Sequence, residues 1–131
     1  MITTFKELKT YISMDLNNSG RTYKTKIDYF RDEISRYLIY LRIREYVYNK
    51  NKIKFNLFYK VVNHILRKKI YRLGVKLGFD LSINSNGMGL RIDHYGFLAI
   101  NEHAKIGKNC HIWRCNYWCK GHHKYVCTNN W

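Results

Sequence analysis

Asp93-His94 is the pair of side chains in this chain best suited to moving a proton. An imidazole starts with a pKa near neutrality, so it can take a proton from a hydroxyl and give it up again within one reaction. A carboxylate beside it can fix the tautomer of the ring and favour the imidazolium that forms in the transition state. Successive side chains on a strand point to opposite faces, so the two can share a cleft only where the backbone turns a corner. Alone, such a dipeptide is more often a surface histidine beside a surface aspartate. The sequence around this one gives it more weight.

That surrounding stretch, Leu81 to Trp113, reads LSINSNGMGLRIDHYGFLAINEHAKIGKNCHIW. Ile100, Ile106 and Ile112 recur six residues apart, and Gly107 directly follows Ile106. Ile92 and Leu98 are also six apart, two residues out of phase with the later set. A period of six is neither the 3.6 of a helix nor the 2.0 of a strand. It fits a parallel β-helix, in which each flat face supplies one inward aliphatic side chain per segment. Gly87, Gly89 and Gly96 then read as corners too tight for a Cβ rather than as points of approach to a ligand. Lys105 and Lys108 read more readily as solvated surface than as phosphate contacts.

NGMGLRIDHYGFLAIN followed by AKIGKNCHI resembles the core of the serine acetyltransferase-like branch of the hexapeptide-repeat acyltransferases. The shared features are a glycine-rich entry, an aliphatic-x-aliphatic step, a histidine, a glycine, an aliphatic run and an IGxNCxI coil. The resemblance covers Leu81 to Ile112, and more loosely Arg42 to Tyr46 and Tyr71 to Leu81. It implies an α+β fold: an N-terminal helical cap, residues 1–80, then the first coils of a left-handed parallel β-helix, residues 81–113. Left-handed coils depart from the usual right-handed crossover. It implies an O-acetyltransferase that uses acetyl-CoA as donor and L-serine as acceptor, with a sugar hydroxyl as the alternative within the class. His94 matches the general base of the family, and Asp93 an acceptor-site residue of its serine acetyltransferases. Family members form homotrimers or dimers of trimers. No residue is assigned to the cofactor, and no metal is expected.

The resemblance stops at Ile112. The chain continues WRCNYWCKGHHKYVCTNNW, and the aliphatic period disappears. Residues 114–131 are therefore expected to be an aberrant tail, from a shifted or truncated reading frame. A coil takes about eighteen residues, so 81–113 makes fewer than two, and repeat folds need about three units. The coils beyond this point hold a second active-site histidine in the family, with most of the coenzyme A groove and much of the trimer contact. Little activity is expected of the chain as it stands. A rival reading lets Cys115, Cys119, His122, His123 and Cys127 bind zinc, with Cys110 nearby. Their spacing lacks a CxxC knuckle, so free thiols are the expectation.

Three helices are predicted to position the Asp93 region. Residues 3–16 place Phe5, Leu8, Ile12 and Leu16 on one face. Residues 26–48 carry Ile27, Phe30, Ile34, Leu38, Leu41 and Tyr48, with enough flanking apolar residues to imply burial on more than one side. Residues 55–77 turn Phe58, Val62, Ile65, Leu66, Ile70, Leu73 and Leu77 inward, and Gly78 suits a helix end. The absence of proline favours long helices.

The net charge is +15, and residues 1–80 hold 18 Lys/Arg against 7 Asp/Glu, so the excess is mainly helical. That balance permits contact with nucleic acid or an anionic membrane. No base-reading module accompanies it, so a small basic nucleic-acid-binding protein with a zinc tail is the reading from another class. The start, MITTFKELKTYISMD, lacks the apolar core of a signal peptide, and no stretch is long enough for a membrane span. The cytoplasm is the expected compartment.

Overall fold

A computed structural model describes residues 1–21 and 25–113. The expected aberrant tail and the cysteines and histidines of the zinc reading beyond Cys110 lie outside the described residues, as does the side chain of Phe30. The chain is α+β. Helices α1 (Phe5–Asn18), α2 (Lys26–Arg31), α3 (Glu33–Ile53) and α4 (Leu57–Leu77) precede strands β1 (Phe79–Leu81), β2 (Arg91–Ile92), β3 (Leu98–Ile100) and β4 (His111–Ile112).

Local chemistry sets the helix ends. Thr4 accepts from the Glu7 backbone N–H, and the Glu7 carboxylate accepts from the N–H groups of Thr3 and Thr4. This reciprocal cap starts α1, and those backbone donors lower the Glu7 pKa to about 2. Asn56 caps α4 by accepting from Phe58 N–H at 2.8 Å, and Gly78 ends it in the left-handed conformation.

The helix predicted over residues 26–48 is two helices, so the described residues hold four rather than three. The break is Asp32, whose backbone is extended while its carboxylate accepts from Ser35 N–H at 2.9 Å. An aspartate that caps a new helix offers the backbone an alternative to continuing the old one.

One core joins the helices to the strands. Ile34, Tyr37, Leu38 and Leu41 of α3 and Ile70 and Leu77 of α4 pack with Phe79, Leu81, Leu90, Ile92, Leu98, Ile100 and Cys110. Ile106 and Ile112 are partly buried against the same cluster. Ile92, Leu98 and Ile100 thus face inward as the six-residue period predicts.

Four residues expected inside are exposed: Phe5, Ile27, Phe58 and Ile65. On α4 the reason is angular. Phe58 and Ile65 precede half-buried Tyr59 and buried Leu66 by one position, about 100° round the helix, which turns them outward. On α1 the side toward the fold holds Leu8 and Asp15, while Phe5 lies in the first turn beneath the Lys9 ammonium.

The strands pair in parallel as β1 with β3 and β2 with β4, and the described residues form no closed sheet. Phe79 aligns with Leu98, Asn86 bridges Ile106, and Arg91 aligns with His111. Each partner lies 19 or 20 positions further along the chain. Between these pairings the backbone of Gly87 stacks beneath that of Gly107. A Cβ on Gly87 would fall 2.5 Å from the Gly107 carbonyl oxygen. Gly89 has φ +77° and donates its N–H to Asp15, a conformation and a closeness that suit glycine. No helix among the described residues is long and apolar enough to cross a membrane.

Candidate functional site

The site is built on the β2–β4 pair. Arg91 N–H donates to the Cys110 carbonyl at 2.9 Å and Asp93 N–H to that of Ile112 at 3.3 Å. Alternation along the strand then sorts the side chains. Ile92 faces the core, while Arg91 and Asp93 share the outer face. Parallel register places His111 beside Arg91 on that same face.

The result is a three-membered cluster. Arg91 Nε donates to Asp93 Oδ1 at 2.7 Å, and His111 Nε2 meets Asp93 Oδ2 in a short contact. The Asp93 side chain is only 13% exposed, against 36% for Arg91 and 37% for His111, so the carboxylate sits beneath its two partners. Burial pushes its pKa up, but the hydrogen bonds from Arg91 and His111 outweigh that and hold it below the usual carboxylate range. Arg21 braces the strand end from the other side. It donates to the Asp93 carbonyl at 3.3 Å and pairs with Asp32 at 2.8 Å.

Of the two residues singled out from sequence, Asp93 lies in this cluster and His94 does not. His94 is exposed in the turn between β2 and β3, and no hydrogen bond joins it to Asp93. The partner of the carboxylate is instead His111, which sequence reasoning passed over as the variable position of IGxNCxI. A signal was present. If Ile112 stacks over Ile92, the residues just before them must stack as well, and those are His111 and Arg91.

His111 turns Nε2 toward the carboxylate, so Nδ1 is the ring nitrogen not bonded to Asp93. The ring of Trp113 lies 6.4 Å away, centroid to centroid. An oriented carboxylate–imidazole pair with a free ring nitrogen can hold or move a proton. Lys105 donates to the Asn84 carbonyl at 3.2 Å, and Lys108 is exposed. Among the described residues no group of three His, Cys, Asp or Glu side chains is arranged to hold a metal. Cys110 is buried in the core.

Comparison with known proteins returned no match: no family model, no curated protein and no solved structure matches the chain.

Proposed function

We propose that the chain is an acetyl-CoA-dependent O-acetyltransferase of the serine acetyltransferase type, represented by its N-terminal helices and the first coils of a left-handed β-helix. The observation that carries this reading is the pairing ladder. Three successive segments, 77–82, 85–88 and 91–93, each hydrogen-bond to a segment about 20 residues later. A three-sided coil stacked on a second one has that pattern, and it coincides with the stretch that resembles the hexapeptide-repeat enzymes.

In this mechanism His94 is the general base. Its imidazole takes the proton from the acceptor hydroxyl as the oxygen attacks the thioester carbonyl. The imidazolium then returns that proton to the departing coenzyme A thiolate. Exposure of His94 leaves it open to an acceptor, and Asp93, one residue before it, contributes to the acceptor site. L-serine is the first choice of acceptor and a sugar hydroxyl the second. The chain would act in the cytoplasm as a homotrimer or a dimer of trimers.

Release of free thiol from acetyl-CoA tests this, with L-serine or a glycan as acceptor. Two proteins are compared: the 131-residue chain, and a version in which hexapeptide coils continue after Ile112. Little or no turnover is expected from the first and clear turnover from the second. In the second, His94→Ala should lower turnover by about 10²–10⁴-fold, the worth of a positioned acid–base group. Acetyl-CoA affinity should barely change. No turnover from the extended protein overturns the activity; an undiminished rate in His94→Ala overturns the mechanism.

A further inference from the structure

A second concavity lies on another part of the molecule, where α3 and α4 meet β1. It is an open cleft of about 720 Å³, within the range of small-molecule sites. None of Arg91, Asp93, His94 or His111 lines it. Its helical wall carries Arg44 and Arg67, together with Tyr37, Tyr48 and Tyr71, and Phe97 stands opposite.

The two arginines are the unusual feature. Neither makes an ion pair among the described residues, and the side-chain hydrogen bond of Arg44 goes to the neutral amide of Asn63 at 3.4 Å. Arg44 is half-buried. Burial lowers its pKa, and the charge of Arg67 lowers it further. Two like charges face one cavity, and the partly desolvated one has no carboxylate at ion-pair distance among the described residues, Glu45 offsetting its burial only in small part. Folding alone gives no reason for that arrangement, whereas an anion placed between them would remove the repulsion.

The rest of the lining narrows the ligand class. Tyr71, Val75 and Phe97 are large, apolar and 71%, 68% and 61% exposed around the same opening. They offer a flat body something to rest on. Tyr37 accepts from the Leu81 N–H at 3.2 Å, which leaves its own O–H to donate. Asp80 and Glu102 line the strand side, so a molecule charged along its whole length would meet repulsion there. We infer that the cleft between α3, α4 and β1 binds a small organic anion, a carboxylate or phosphate at one end of a flat apolar body, with Arg44 and Arg67 holding the charged end.

Phenyl phosphate is a suitable probe, followed by calorimetry and by backbone amide shifts. Inorganic phosphate tests the charge alone and phenol the body alone. Phenyl phosphate should bind saturably, shift the amides around Tyr71 and Phe97, and bind more tightly than either fragment. Arg44→Gln and Arg67→Gln should each weaken it about ten- to hundredfold, the worth of a hydrogen bond to a charged group. Arg72→Gln, on the same helix but outside the cleft, should leave it unchanged. If Arg44→Gln loses helical signal, the exposed Arg67 decides the comparison. Three outcomes overturn the proposal: no saturation at millimolar probe, equal losses from Arg72→Gln and Arg67→Gln, or inorganic phosphate binding as tightly as phenyl phosphate.

Discussion

Arg42 is fully buried, and each of its five N–H donors has an acceptor. Two go to Asp15 of α1, one to Glu45 of its own helix, and two to the carbonyls of Asn86 and Gly87. Asp15 in turn accepts from the N–H groups of Gly89 and Leu90, and Glu45 from that of Asn84. One guanidinium therefore ties two helices to the segment 84–90 through backbone that would otherwise lack partners. Burial opposes its charge, but Glu45 and Asp15 outweigh burial and raise its pKa. The cost of removing it lies in what stays behind. Arg42→Met leaves two buried carboxylates without a counter-charge and should destabilise the fold by about 3–5 kcal/mol. Arg42→Lys should recover little, because an ammonium has three donors and no fork. Urea unfolding followed by far-UV circular dichroism measures both; a wild-type midpoint for Arg42→Met would show the network to be dispensable. None of this was legible in sequence. Charged residues on an amphipathic helix read as solvated, and the exception shows only when a turn 40 residues away presents unpaired carbonyls. Asp93 was legible for a different reason, being a polar residue inside an aliphatic repeat. Its partner His111 was signalled only through the pairing register that sets Arg91 beside it, which no single stretch of sequence displays.

At the scale of elements, one helix end was easy to read and others were not. Gly78 announced itself by residue type, and α4 ends there, whereas the polar residues Asn49 to Lys52, which read as an interhelical loop, lie within α3, which runs on to Ile53. The break at Asp32 stayed hidden because apolar residues keep step across it, from Ile27 to Ile34. Periodicity averages over a window, while a cap acts at one residue. Asp32→Ala removes the acceptor for Ser35 N–H and the partner of Arg21. The expected loss is about 1 kcal/mol from the cap, with the exposed part of the ion pair adding little. Thermal unfolding of the variant against Asp32→Asn separates the two terms, since asparagine keeps the cap and drops the charge. If alanine and asparagine destabilise equally, the ion pair and not the cap sets the break. The outward turn of Phe58 and Ile65 on α4 belongs to this scale too. Sequence shows that a helix has enough apolar residues to pack, and the neighbouring elements decide which stripe does so.

The two kinds of structure in this molecule do not have separate interiors. The core runs without interruption from Ile34 and Leu41 in α3 to Ile92, Ile100 and Cys110 in the strand region. The first ladder contacts start from the end of α4 itself: Gly96 and Leu98 donate to the carbonyls of Leu77 and Gly78. Four strands of two or three residues bury too little apolar surface among themselves to offset the entropy of ordering them. The helices therefore complete that core, and Arg42 fixes where the strand region docks on it. A peptide of residues 81–113 should then be unfolded in water, with a disordered circular dichroism spectrum and collapsed amide shift dispersion. Residues 1–113 should unfold in one cooperative transition, with helix signal and the hydrogen-exchange protection of residues 79–112 lost at the same denaturant concentration. A dispersed β spectrum from the peptide, or strand-region amides that exchange well before the helices melt, would show the strand region to be a unit of its own. Joint melting makes α3 and α4 structural supports of the Asp93 cluster, although neither helix supplies a residue to it.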